Sequence, residues 1–182
     1  MRILAISGSL RSGSHNTELL RLAAAAAPAE VEVELYDGLK LVPPYDADDD
    51  VEPRPPAVAE LKDAIAEADA VLFATPEYNS SIPGALKNAL DWVSRPLLGS
   101  PLRNKPVAVL SSSTGMFGAV WAQAELKKVL GAIGARVLDE AVTVPKAHER
   151  LAAGGDEALE DELATLVEAL AVAVEERVAA AA

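Results

Sequence analysis

The 182-residue chain has no cysteine, two histidines and 51% apolar residues, and its formal net charge is −12. This composition is typical of one globular domain over residues 1–182, and it excludes disulfides, thiolate metal sites and iron–sulfur clusters. Its acidic balance argues against nucleic acid and anionic membranes as partners. With no cysteine and only two histidines, the chain has little material for a metal site, and we expect none. No apolar run has the length of a signal-peptide core or a membrane span, so we expect a cytoplasmic protein.

Short apolar or alternating runs, which predict strands, alternate along the chain with segments of helical periodicity. The predicted strands are 2–7, 31–36, 70–74, 106–111 and 136–144, and the predicted helices are 16–27, 57–68, 83–93, 119–133 and 156–179. Residues 43–56, rich in proline and acidic side chains, are predicted to be a long loop. Strict alternation, with continuous apolar runs in the first, third and fourth strands, predicts a doubly wound α/β domain. Its parallel sheet would be covered by helices on both faces.

The loop after the first strand is rich in groups that bind phosphate. Residues 8–17 supply four hydroxyls, an amide and the guanidinium of Arg11 directly before a helix. Backbone N–H groups and the helix dipole favour an anion at such a place. The loop has neither the Gly-Lys-Ser/Thr ending of nucleoside triphosphatases nor a GxGxxG dinucleotide pattern. The simpler alternative is a polar turn in which Ser14 or Asn16 caps the helix.

The loops after the third and fourth strands suit a flat ring. Pro76 and Pro83 stiffen the second loop, so that Tyr78 and nearby N–H groups are held in place against a planar ligand. The third loop, 111–118, consists mostly of small residues and permits close backbone approach. It is equally consistent with an ordinary connecting turn.

These loops give the sequence its resemblance to the NADPH-dependent FMN reductase family, which includes chromate, quinone and azo-dye reductases. The similarity spans most of the chain. It is strongest in Gly8-Ser9-Leu10-Arg11 with Ser14, Asn16 and Thr17, and in Pro76-Glu77-Tyr78-Asn79-Ser80-Ser81-Ile82-Pro83-Gly84 running into Lys87, Asn88, Asp91 and Trp92. The resemblance implies a flavodoxin-like three-layer sandwich with a five-stranded parallel sheet in the order 2-1-3-4-5. It also implies FMN as cofactor and a homodimer or homotetramer with the flavin near the subunit contact.

The resemblance further implies a role for each loop. The first would hold the FMN phosphate through Ser9, Arg11, Ser14, Asn16 and Thr17. The second would border the isoalloxazine through Pro76, Glu77, Tyr78 and Asn79, and the third would complete the pocket through Ser111, Ser113, Thr114 and Gly115. His15 is a further cofactor-binding candidate, although solvent exposure explains it equally well. Phe117-Gly118-Ala119 stands where the family often has a glycine pair.

The resulting hypothesis is an NAD(P)H-dependent FMN reductase or quinone reductase. NADPH or NADH would first reduce the flavin from its exposed face. A quinone, free flavin or similar small acceptor would then occupy the same face and be reduced, which gives ping-pong turnover. The flavin carries the chemistry, so no side chain is assigned as catalytic acid or base, and Tyr78 and Asn79 are the expected acceptor contacts. The alternative is a flavodoxin-type electron carrier without NAD(P)H turnover. Trp92 and Trp121 fit either the core or a subunit interface.

Overall fold

A computed structural model describes residues 1–152 and 154–180, and in that part of the chain a five-stranded parallel sheet lies between two layers of helices. The strands are β1 (Arg2–Ser7), β2 (Glu32–Tyr36), β3 (Ala70–Thr75), β4 (Pro106–Ser112) and β5 (Arg136–Val144). The helices are α1 (His15–Ala25), α2 (Pro56–Glu67), α3 (Gly84–Val93), α4 (Val120–Ile133), α5 (Ala147–Arg150) and α6 (Glu157–Ala179). The strand order β2-β1-β3-β4-β5 confirms the predicted fold.

Each face of the sheet has its own hydrophobic core. α1 and α6 pack on one face around Leu20 and Leu72, whereas α2, α3 and α4 pack on the other around Leu61 and Phe73. Leu72 and Phe73 are adjacent in β3 yet belong to opposite cores, because successive side chains of a strand point to opposite faces. Every residue of β3 and β4 is buried, which explains their uninterrupted apolar sequences.

The predicted elements are confirmed with small shifts at their ends. α1 ends at Ala25 rather than residue 27, since Pro28 disfavours helical geometry in the residue before it. α2 begins at Pro56, inside the predicted loop, because proline is well tolerated in the first helical turn. The four-residue α5 was not predicted, since it is too short to show a periodic pattern. Within 1–152 and 154–180, none of the helices is both long and apolar enough to cross a membrane.

Part of the Lys-Asn-x-x-Asp-Trp sequence after the second loop is structural. Trp92 is fully buried, and its indole N–H donates to the Pro43 carbonyl at 2.9 Å. The Asn88 amide donates to the same carbonyl at 2.8 Å and accepts from the Tyr45 N–H at 2.7 Å. These contacts fasten the loop after β2 onto α3. Trp92 is therefore a core residue, whereas Trp121 is 52% exposed.

Candidate active site

The carboxyl ends of β1, β3 and β4 surround an open cleft. The crossover from β1 to β2 and the path from β3 to β4 leave in opposite directions, and this reversal separates the loops at that edge of the sheet. The cleft has a volume of about 160 Å³. It is lined by Ser9, Arg11, Ser14, His15, Asn16, Pro76, Glu77, Tyr78, Ser112, Ser113 and Thr114. All of these except Ser112 were predicted from the sequence as site residues.

In the first loop, Ser14 is the N-cap of α1. Its hydroxyl oxygen accepts from the Thr17 N–H at 3.3 Å, so the capping alternative holds for Ser14. A hydroxyl that accepts in this way still has its own hydrogen to donate to a ligand. The Thr17 hydroxyl instead donates to Ser7 at 2.9 Å, and Thr17 lines a neighbouring crevice between β1, β2 and α1 rather than the cleft.

The positive charge of the cleft comes from Arg11, which is exposed at its edge. The pKa of the His15 imidazole is lowered, chiefly by partial burial and further by the charges of Arg11 and His148. The neutral form of His15 is therefore favoured, and in that form the imidazole can act as a hydrogen-bonding group. In a chain of net charge −12, Arg11 supplies a local attraction for an anion that the overall field lacks.

The second loop contains a tight turn that presents Tyr78 at the mouth of the cleft. Tyr78 and Ser81 exchange two backbone hydrogen bonds, at 3.0 and 3.2 Å. Asn79 and Ser80 between them have φ of 54° and 62°, positive at both central positions as in a type I′ turn. Tyr78 is 51% exposed, so its ring is available for stacking, whereas Asn79 lies at the tip of the turn and outside the cleft lining.

Glu77 joins the second loop to the start of α4. Its carboxylate accepts from the Ala122 N–H at 3.2 Å. The N-cap position of α4 is Ala119, whose side chain cannot accept a hydrogen bond, so Glu77 caps the helix from a distant part of the sequence. A carboxylate at a helix N-terminus is also favoured by the helix dipole.

In the third loop the structure separates three consecutive serines. Ser111 is fully buried, and its hydroxyl accepts from the Gln123 amide at 3.1 Å, which places it outside the cleft lining. Ser112 and Ser113 line the cleft. Gly115 also lies outside the lining, and its carbonyl accepts from the Lys146 N–H at 2.9 Å. Residue type cannot distinguish the three serines, because the register and end of β4 decide which of them reach the cleft.

The residues at the position of the family's glycine pair have left-handed backbone geometry. Gly118 has φ of +59°, and a Cβ there would lie 2.5 Å from Thr143 Cγ2 and 2.9 Å from the Pro145 nitrogen. Only glycine fits this position without displacing β5. Ala119 follows with φ of 69°, a conformation that is strained for alanine.

A sequence profile described as NADPH-dependent FMN reductase matches residues 1–149. The chain belongs to this family. It is 46% identical over 130 residues to an NAD(P)H-dependent FMN reductase of Pseudomonas aeruginosa, covering 71% of this chain and 69% of the relative. It is 41% identical over 141 residues to a quinone reductase of Escherichia coli, covering 77% and 74% respectively. The solved structure of FerB, a flavoenzyme NAD(P)H:(acceptor) oxidoreductase from Paracoccus denitrificans, superposes with a TM-score of 0.84 at 35% identity, covering 97% of this chain and 98% of FerB.

Membership of the FMN reductase family confirms the prediction of an NAD(P)H-dependent flavin oxidoreductase with FMN as its cofactor, and nothing in the comparisons supports the electron-carrier alternative. The polar groups of the cleft fit this cofactor. The Ser112 hydroxyl is buried without a hydrogen-bond partner in the described part of the chain, and its residue lines the cleft. Buried hydroxyls are normally paired, so an acceptor atom of a bound ligand would satisfy it.

Proposed function

We propose that this chain holds FMN between the loops after β1, β3 and β4 and reduces quinones, free flavin or similar small acceptors with NAD(P)H. The observation that carries the proposal is the convergence of ten predicted residues, from three separate loops, on one cleft. The acceptor class is supported by the Escherichia coli relative, which is named a quinone reductase.

The phosphate of FMN is assigned to the first loop. Arg11 supplies the charge, Ser14 supplies an O–H, and the N-terminus of α1 supplies free N–H groups. Ser9, His15, Asn16 and Thr17 complete this loop, although Thr17 contributes through its contact with Ser7 rather than from the cleft lining.

The ring of FMN is assigned to the second and third loops. Pro76, Glu77 and Tyr78 border it on one side, and Ser112, Ser113 and Thr114 border it on the other. Asn79 remains an acceptor contact at the mouth, while Ser111 and Gly115 shape the third loop from outside the lining.

Bound FMN supplies the hydride and electron transfer, and the protein supplies binding, orientation and electrostatics. Glu77 is the carboxylate of the lining, and one of its oxygens is used in the capping bond to α4. The exposed ring of Tyr78 offers one stacking surface at the mouth. We expect NAD(P)H and the acceptor to use this surface in turn, which gives ping-pong kinetics.

The first experiment measures FMN binding by fluorescence quenching in an Arg11→Ala, Ser14→Ala double variant. Loss of one charge-assisted bond and one further donor predicts FMN affinity about 10- to 100-fold weaker. Arg21→Ala is the matched control, because Arg21 lies on α1, which follows the first loop, pairs with Glu18 and is outside the cleft. Unchanged FMN affinity in the double variant would refute the phosphate assignment.

The second experiment distinguishes an enzyme from a carrier. The protein is titrated anaerobically with NADH and then with NADPH while the bleaching of the flavin absorbance band is recorded. The steady-state oxidation of NAD(P)H in the presence of a quinone is then measured. We expect both reactions with at least one nicotinamide. Failure with both nicotinamides would favour the electron carrier.

We further propose a homodimer, or a dimer of dimers, in which an apolar face beside the cleft mouth packs against a second copy. Met116, Phe117, Val120 and Trp121 are between 39% and 75% exposed, and the rings of Phe117 and Trp121 pack edge to face at 5.0 Å. Contiguous exposed apolar groups of this kind are typical of contact surfaces. Sedimentation should show a dimer or tetramer that Trp121→Glu dissociates, whereas Val172→Glu, at a similarly exposed position on α6, leaves it assembled. A monomeric wild-type protein would contradict this.

A cytoplasmic location and a single cooperative domain over residues 1–182 are also proposed. The reaction draws on reduced nicotinamides, which are regenerated inside the cell. Cell fractionation and a single unfolding transition observed by two independent probes are the corresponding tests.

A further inference from the structure

The cleft begins where β3 and β4 stop pairing. The last registered pair of the two strands is Thr75 with Ser111. The residue that follows β3 is Pro76, which has no N–H to continue the ladder. Ser112, the last residue of β4, therefore lacks a backbone partner on this side, although it is only 1% exposed. A buried backbone N–H and C=O without partners would be costly.

Asn16 supplies the missing partner from the start of α1. Its side-chain Nδ2 donates to the Ser112 carbonyl at 3.1 Å, and its Oδ1 accepts from the Ser112 N–H at 3.1 Å. A primary amide presents a donor and an acceptor side by side, as a peptide group does, so one side chain satisfies both backbone groups. Asn16 is only 3% exposed, and water cannot readily replace it.

We propose that Asn16 is a positioning residue for the third loop: it takes the place of β3 beside Ser112 and thereby sets where Ser113 and Thr114 enter the cleft. This inference rests on the proposed FMN site, and it assigns Asn16 a role different from the phosphate contact that the family resemblance implies. Its Oδ1 and one of its N–H groups are already used on Ser112. Asn16 thus acts on the ring part of the ligand, through the backbone of the third loop.

A comparison of FMN with riboflavin distinguishes the two roles, because riboflavin has the same ring and no phosphate. If Asn16 positions the third loop, Asn16→Ala weakens the binding of FMN and of riboflavin by a similar factor, about tenfold or more. If Asn16 is only a phosphate ligand, FMN affinity falls and riboflavin affinity does not. Arg11→Ala is the matched control and is expected to weaken FMN alone. A lowered Tm with both affinities unchanged would mean a purely structural role and would also overturn the proposal.

Amide hydrogen exchange in the flavin-free protein tests the same contact without any ligand. Asn16→Ala should speed exchange of the Ser112 N–H relative to the amides of neighbouring β4. Ser112→Ala leaves the backbone pair intact and should keep that N–H protected. Unchanged Ser112 exchange in Asn16→Ala overturns the proposal. If the wild-type protein binds neither flavin, the proposed function fails, and the exchange result still decides the role of Asn16.

Discussion

The two ends of the sheet satisfy their polar groups in different ways. At the amino end, the Arg2 guanidinium pairs with Glu34 at 2.7 Å and Glu67 at 3.0 Å. Lys105 is 5% exposed, and its ammonium donates to the last carbonyls of α2 and the residue after it, those of Ile65, Ala66 and Ala68. At the carboxyl end, by contrast, the Ser112 hydroxyl has no partner in the described residues, Ala119 has a left-handed backbone and aromatic rings are exposed.

This difference separates stability from binding. Groups at the amino end are paired within the protein and can contribute to folding, whereas at the carboxyl end the Ser112 hydroxyl is left free for a ligand and Ala119 is strained, both at some cost in stability. Substitutions at the amino end should therefore change unfolding without changing flavin affinity. Those at the carboxyl end should change flavin affinity where they displace the third loop, and their effect on unfolding depends on local strain.

The largest effect is expected from Gly118→Ala. The new Cβ would overlap Thr143 and the backbone at Pro145, and a side chain is unfavourable at the positive φ of this residue. We expect the free energy of unfolding to fall by about 2–4 kcal/mol and FMN affinity to fall with it. Urea unfolding measures the free energy of unfolding, and fluorescence quenching measures the FMN affinity. Gly131→Ala, in α4 with open space around its Cβ, is the control and should be neutral or slightly stabilising. Equal free energies of unfolding in the two variants would contradict the conclusion that only glycine fits position 118.

A smaller effect, confined to unfolding, is expected from Lys105→Met. Methionine retains an apolar stem but leaves carbonyls at the end of α2 without their donor. We expect a loss of about 1–3 kcal/mol in the free energy of unfolding, with FMN affinity unchanged. A change in FMN affinity would contradict the assignment of the amino end of the sheet to stability alone.

The pH dependence of stability gives a second test of Lys105. Burial, aided by the charge of Arg177, lowers the pKa of its ammonium to about 8 from 10.5. Between these values the unfolded chain binds more protons than the folded protein, so the free energy of unfolding should rise as the pH increases from about 8 towards 10.5. Lys105→Met should lack this rise. An identical pH profile in the variant would show that Lys105 does not titrate in this range.

The smallest effect is expected from Ala119→Gly, and it has the opposite sign. Glycine removes the strain of a left-handed alanine at φ of 69°. The free energy of unfolding should increase by up to about 1 kcal/mol, since the relief is partly offset by greater freedom of the unfolded chain. FMN affinity should change little if Ala119 already holds the third loop in its binding geometry. Differential scanning calorimetry at matched conditions measures the shift, and a lower Tm would contradict the assignment of strain.

The agreement between the predicted and observed fold has a local physical basis. Each strand and helix of this chain has its own apolar pattern, and periodicity reports on burial within a few residues, so β1 and β5 were predicted at the bounds observed. The first loop and the Pro-Glu-Tyr-Asn turn could also be predicted from local sequence, because hydroxyls, prolines and turn-forming residues determine the conformation of their own segment. Single-residue roles within those loops were less predictable.

Sequence alone thus determined the alternation of strands and helices, the family, and the three loops that meet at the cleft. Only the tertiary structure decided that Ser112 rather than Ser111 lines the cleft, that Thr17 and Asn79 lie outside its lining, and that Glu77 caps α4. Only the tertiary structure paired Asn16 with Ser112, 96 residues away. The reason is that such contacts depend on strand register and on where β3 leaves β4, and both are set by residues far apart in the chain.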